Sequence, residues 1–133
     1  MHTTLINPET LGAPKGYANG ILVDTGGKLL FIAGQIGWNA QHQIVGDDLV
    51  EQFSQALSNV LAVVNQAGGK PDDIVRLTLY VTDKAEYARR TSEIGTRYRE
   101  LMGKHFPAMA LIEVKGLLND AAKVEIEGTA VIF

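Results

Sequence analysis

The sequence predicts an α+β domain in which a sheet of strands carries two helices on one face. Three observations lead there. Two segments repeat apolar residues at three- and four-residue spacing. Five shorter segments alternate, or run apolar, at strand length. Glycine and proline stand between them as punctuation. The resulting order is β-β-α-β-α-β-β across a single domain, 1–133, and a chain of this size buries roughly two-thirds of its unfolded surface, enough for one core.

Each element follows from its residues. Pro8, Gly12, Pro14 and Gly16 mark an irregular N-terminal arm, after which Tyr17 to Asp24 reads as a strand. Thr25-Gly26-Gly27-Lys28 signals a hairpin, because Gly-Gly supplies the positive φ of a two-residue loop. Leu29 to Gly34 is the second strand, and Gly37 to Gly46 is a polar loop. The first helix spans about Asp48 to Ala67, with Leu49, Phe53, Leu57, Val60 and Val64 on one side. Asp48 followed by Glu51 resembles a capping box, and Gly68-Gly69 before Pro71 is a stop. Ile74 to Val81 alternates as a strand. The second helix starts near Asp83 and ends by Gly103. Ala108 to Lys115 and Lys123 to Phe133 are the last two strands.

Two helices cover one face of such a sheet, so the other needs explaining. On it the alternation places Arg76, Thr78 and Tyr80, and Glu125, Glu127, Thr129, Val131 and Phe133, while Met109 and Leu111 share a parity with Glu113. Polar groups mixed with large apolar ones suit a subunit interface enclosing a small wet pocket.

Composition narrows the function classes. Hydrophobic residues make up 46% and charged residues 20%, as in ordinary globular domains. Net charge is −3 with no basic stripe, which disfavours nucleic acid as a partner. There is no cysteine, so disulfides and thiolate chemistry are excluded. His2, His42 and His105 fall in separate irregular regions without metal-ligand spacing. Met1 to Pro8 shows neither a basic n-region nor a long apolar stretch, and no segment reaches the length of a membrane span, so a cytoplasmic location is the expectation.

Glu125 and Glu127 lie two apart on a strand and project from one face. Either they are partly exposed carboxylates paired with Arg76 or Arg97, or one of them is a partly buried general acid/base. Tyr17 either packs the first strand or walls a pocket with its ring and hydroxyl. Gln35, after Gly34 at a strand end, is either solvated or part of a site. Trp38 reads as a lid or interface contact.

The chain resembles the Rid (YjgF) family of small deaminases. The matching pieces are Gly16-Tyr17, Phe31-Ile32-Ala33-Gly34-Gln35, Glu51-Gln52 to Asn59, Ala67-Gly68-Gly69, Leu79-Tyr80-Val81-Thr82-Asp83, Pro107-Ala108 and Val124-Glu125-Ile126-Glu127. The resemblance implies a chorismate-mutase-like fold, a homotrimer with pockets at the subunit clefts, and cofactor-free hydrolysis of enamines and imines. It implies a catalytic role for Glu125, with Tyr17 lining the pocket, and substrate-binding positions at Ala33, Gly34, Gln35 and Met109. The family pattern carries a carboxylate-gripping arginine where this chain has Met109, and a small hydroxylic residue where it has Ala33. Methionine forms no bidentate pair with a carboxylate. The implied activity is therefore a deaminase-type hydrolase acting on a polarised C–N bond, other than standard 2-imino-acid hydrolysis, with a ligand that is neutral or held by other groups. The alternatives are a non-catalytic binding or sensing trimer and an RNA-cleaving protein, the latter opposed by the net charge.

Overall fold

The structure is a computed structural model that describes residues 2–24 and 26–133, so Met1, and Thr25 of the expected turn, lie outside the described residues. Its elements are β1 (Thr3–Ile6), β2 (Gly20–Val23), β3 (Lys28–Ile36), α1 (Leu49–Gln66), β4 (Ile74–Val81), α2 (Lys84–Arg89), α3 (Thr91–Met102), β5 (Ala108–Glu113) and β6 (Val124–Ile132). One sheet has the order β3-β6-β4-β5, with β4 and β5 parallel and the other pairs antiparallel. A second, two-stranded sheet is made by β1 and β2. The α+β class stands, and no helix among the described residues is long and apolar enough to cross a membrane.

Three details depart from the sequence expectation. First, the N-terminal arm holds a strand, and β2 pairs with β1 (Thr3 opposite Val23, Ile6 opposite Gly20) instead of forming a hairpin with β3. Gly27 does not take positive φ. Gly27 serves close approach: a Cβ there would stand 2.8 Å from Val131 Cγ1 and 3.0 Å from the Ile132 carbonyl oxygen. The regular part of β2 also begins at Gly20, not Tyr17. Second, the second helix breaks into α2 and α3 at Arg90 (φ −109°, ψ 15°), whose guanidinium donates to Glu93 at 2.7 Å and pairs with Asp48 at 3.0 Å.

Third, Met109 and Leu111 do not lie on the mixed face. Parallel register sets Met109 beside Leu77 and Leu111 beside Leu79, on the helix-covered side, and Met109 packs against the core. Alternation fixes which residues share a face, whereas only pairing with β4 decides which face that is. The open face carries Arg76, Thr78 and Tyr80 opposite Thr129, Glu127 and Glu125, with Phe31 opposite Thr129. Phe31 is 76% exposed there.

Helix α1 supplies much of the core. Phe53, Leu57, Val60 and Val64 are buried against Leu77, Leu79 and Ile126 of the sheet. Each such side chain contributes about 1.5–3 kcal/mol relative to exposure. At its start the Asp48 carboxylate accepts from the Glu51 N–H at 3.0 Å. That bond, with help from Arg90, holds the Asp48 carboxyl below its ordinary range. The reciprocal half of the capping box is absent, since the Glu51 side chain pairs with Arg97 of α3. Gly68, at φ 86°, ends the helix where a side chain would be strained.

Gln52 breaks the apolar pattern of α1, yet it is completely buried. Its Nε2 donates to the carbonyls of Gly46 at 2.7 Å and Ala121 at 3.0 Å, and its Oε1 accepts from the Lys123 N–H at 2.7 Å. One amide thus ties the loop before α1 and the loop before β6 to the helix. Gln52→Leu leaves two carbonyls and one N–H unpaired in the interior. The expected loss is about 3 kcal/mol or more of unfolding free energy, measured by urea denaturation, at about 1–3 kcal/mol per orphaned group. A loss below 1 kcal/mol would show that water replaces the amide.

Candidate functional site

The residues singled out in the sequence assemble into two groups. The first forms beside β5. Gly16, at φ 74°, turns the N-terminal arm, and the Ala18 N–H donates to the Pro107 carbonyl at 3.0 Å. Between these two fixed points stands Tyr17, which borders a cavity of about 210 Å³ together with Lys15, Leu79, Tyr87, Met109 and Leu111. Among the described residues that border it, Lys15 is the charged one. Burial raises the Tyr87 hydroxyl above its ordinary pKa, so it stays a neutral donor. Tyr17 and Met109 are thus brought together in a mainly apolar, aromatic pocket.

The second group lies on the open face of the sheet. Pairing between β3 and β6 slips between Ile32 and Gln35, so Ala33 and Gly34 form a bulge. The Glu125 carboxylate sits directly over it: a Cβ on Gly34 would stand 2.8 Å from the Glu125 carboxyl carbon. Glycine at position 34 thus leaves the space that the Glu125 carboxylate occupies, and its φ is not in the left-handed region. Glu125 lies opposite Tyr80, whose hydroxyl donates to Glu127 Oε1 at 2.6 Å. That hydrogen bond raises the Tyr80 pKa, with burial and the Glu127 charge adding to it. Glu127 is thus engaged within the sheet, and neither glutamate forms the ion pair with Arg76 or Arg97 that the sequence allowed.

Gln35 joins neither group. The bulge turns it toward α1, where it borders a groove with Trp38, His42, Gln55 and Asn59, and its Nε2 donates to the Ala33 carbonyl at 3.1 Å. Asn59 donates to the carbonyls of Ile36 at 3.1 Å and Trp38 at 3.0 Å, which makes it an anchor for the end of β3. Trp38 stacks on His42 with ring centroids 4.1 Å apart. His2 stacks on Phe133, and His105 meets the Ile74 carbonyl at 2.7 Å, so the three histidines do separate structural work.

Within one chain, β4 separates the Tyr17–Met109 pocket from the Gly34–Glu125 pair, and the two groups open on opposite faces of the sheet. The sequence reading did not assign Lys15, Tyr87, Leu79 or Leu111 to this pocket. Proximity to Tyr17 was the available signal for Lys15. For Tyr87 and Leu111, helix and strand parity were available, but only with the correct face for β5.

Gly34→Ala is expected to move the Glu125 side-chain carboxyl ¹³C resonance while leaving that of Glu51 in place, because the new methyl occupies the carboxylate's position. An unmoved Glu125 resonance would mean that the bulge yields instead.

The chain matches the family model described as Endoribonuclease L-PSP over residues 9–132. It is 34% identical over 132 residues to a RutC family protein of Haemophilus influenzae, covering 98% of each chain. It is 33% identical over 134 residues to the 2-iminobutanoate/2-iminopropanoate deaminase of Escherichia coli K12, again covering 98% of each. Among solved structures, YyfB of Yersinia pestis, a Rid family protein of unknown function, aligns with a TM-score of 0.85 at 36% identity, over 99% of this chain and 100% of that one. Escherichia coli TdcF, solved with bound serine, aligns with a TM-score of 0.68 at 32% identity, over 92% of each chain. With a family model spanning nearly the whole sequence and relatives matched along almost their full length, this chain belongs to the Rid (YjgF) family.

Proposed function

We propose that this chain is a cofactor-free hydrolase that cleaves the polarised C–N bond of a small molecule in clefts between the subunits of a homotrimer, and that it is not a 2-imino-acid deaminase of the arginine type. The observation that carries the reading is Met109 in the Tyr17 pocket, where the resemblance calls for a guanidinium. A 2-imino acid entering along Met109 would lose carboxylate hydration with no cation at that position, at a cost of several kcal/mol in a low-dielectric cleft. The relative named for 2-iminobutanoate and 2-iminopropanoate supports the C–N reaction class.

In this reading Tyr17 orients the substrate, and Glu125 takes a proton from water as the water oxygen attacks the C=N carbon and passes it to the nitrogen, giving a carbinolamine. The hydroxyl proton of that intermediate then moves by way of Glu125 to the same nitrogen as the C–N bond breaks, so that imine plus water becomes carbonyl compound plus ammonia. Gly34 makes room for that carboxylate. The trimer is part of the proposal because the two groups need each other. The Tyr17 cavity, about 210 Å³, is smaller than ligand pockets of about 300–1,000 Å³, and a neighbouring copy that brings its Glu125 face against it would complete the cleft. It would also cover Leu29 and Phe31, which are 64% and 76% exposed. A monomer would leave these groups unmatched. The endoribonuclease of the family model's description is disfavoured by a net charge of −3.

Light scattering at low micromolar concentration is expected to give three times the 14.4 kDa chain mass. A folded monomer would remove the cleft. For a substrate found by screening imines and related C–N compounds for ammonia release, Glu125→Gln is expected to lower kcat at least about 100-fold, in line with loss of a general acid/base, and Glu127→Gln to lower it much less. A ligand bound equally by wild type and Glu125→Gln with no turnover in either would establish the binding or sensing reading instead.

Met109→Arg should lose some stability when empty, because it places an uncompensated cation against Leu79 and Leu111. It should also gain thermal stabilisation from pyruvate that the wild type lacks. No gain with pyruvate would mean that position 109 does not face the ligand.

A further inference from the structure

We infer that Asn19-Gly20 is a site of spontaneous covalent modification, deamidation through a cyclic imide, and that the side chain of Asn7 guards it. Three observations lead there. Asn19 is exposed, and it stands in the only Asn-Gly pair of the sequence. Glycine has no β-carbon to crowd its amide nitrogen, so that nitrogen can reach the side-chain carbonyl carbon of the asparagine before it. Next, the fold makes no demand for this glycine. Gly20 does not take positive φ, and a Cβ there would meet Ile6 Cβ at 3.6 Å and the Ile6 carbonyl oxygen at 3.7 Å, which is ordinary contact. Last, Asn7 Oδ1 accepts from the Asn19 N–H at 2.8 Å and from Asn19 Nδ2 at 3.3 Å. One oxygen thus gathers the side-chain amide toward its own backbone N–H. Asn7 directly follows Ile6, which pairs with Gly20, so this clamp exists only while β1 is in place.

When β1 detaches, the Gly20 nitrogen attacks Asn19 Cγ. The Cγ–Nδ2 bond breaks, and Nδ2 leaves as ammonia with the proton that Gly20 gives up. The imide then takes up one water at either carbonyl and opens to aspartate or to isoaspartate, whose main chain runs through the β-carbon. The balance is amide plus water to carboxylic acid plus ammonia, with no other reactant. Neither product restores the clamp, because a carboxylate has no hydrogen to donate to Asn7 Oδ1. Isoaspartate also adds a main-chain carbon between Ala18, which is 3% exposed and tied to Pro107, and Gly20 at the start of β2. A transient opening of β1 is thereby turned into a permanent loosening of the arm that carries Tyr17.

The test incubates the intact protein in mildly alkaline buffer and follows each asparagine by peptide mass mapping, in which deamidation adds about 1 Da. Isoaspartate is told from aspartate by isoaspartyl methyltransferase labelling. Asn19 is expected to convert ahead of every other asparagine. Asn7→Ala should convert about tenfold faster than the wild type, as loss of one to two hydrogen bonds provides, and Asn7→Asp, which keeps an acceptor oxygen, should stay within about twofold of it. Gly20→Ala should suppress conversion in each background. Hydrogen exchange of the α1 amides shows whether Asn7→Ala remains folded. Conversion of another asparagine before Asn19 overturns the site. A folded Asn7→Ala that converts at the wild-type rate overturns the guard. Should Asn7→Ala unfold, the folded wild type is compared with the same chain in guanidinium: conversion about tenfold slower when folded upholds the clamp, and equal rates overturn it.

Discussion

The position of β6 at the middle of the main sheet governs the rest of the molecule. It pairs with β3 on one side and β4 on the other, so its alternation is imposed on both. Val124, Ile126 and Ala130 point into the core, where each is fully buried, and this sets the face that receives α1 and α3. Glu125, Glu127 and Thr129 are thereby sent to the opposite face. Gly128, in between, lets β4 pass closely: a Cβ there would stand 2.9 Å from the Arg76 carbonyl oxygen. The hydrophobic face of one strand therefore orders the core and, by geometric necessity, presents two carboxylates on the other side.

Two buried or half-buried amides on α1 convert this frame into a positioned site. Gln52 holds the loops before α1 and before β6, and Asn59 holds the exit of β3. Both satisfy backbone groups that no strand partner reaches. The strand end carrying the Ala33–Gly34 bulge is thus fixed against the helix, and the Glu125 carboxylate lies over the bulge. Tyr80 then secures Glu127 through its hydroxyl, which distinguishes two carboxylates that are chemically alike. One is committed to a neighbour in the sheet; the other lies over a gap left by a glycine.

The chemistry expected of the family is divided between surfaces that a single chain does not join. An aromatic and apolar cavity lies at the β5 edge, and a carboxylate lies on the open face. Met109, Leu79 and Leu111 make the lining beside Tyr17 largely apolar. In the proposed trimer the carboxylate of one copy and the cavity of the next share a cleft, and the exposed aromatic and aliphatic side chains of β3 are covered.

By itself the sequence determined what depends on local periodicity and chain order. Both helical segments, the strands after them, the Asp48 cap, the stop at Gly68 and the shared face of Glu125 and Glu127 are all legible because each rests on residues within a few positions of one another. The family was legible for a related reason: its motifs keep their order along the chain. Only the tertiary structure decided which strand β2 pairs with, which way β5 faces, and where Gln35 points. Each of these depends on a partner distant in sequence: β1 for β2, β4 for β5, and β6 with its bulge for Gln35. A strand's parity is an intrinsic property, but its direction relative to the core is relative and is fixed by register alone. That is why Met109 lies on the helix side, and why Tyr87, unremarkable along the chain, becomes a neighbour of Tyr17 once β5 is paired.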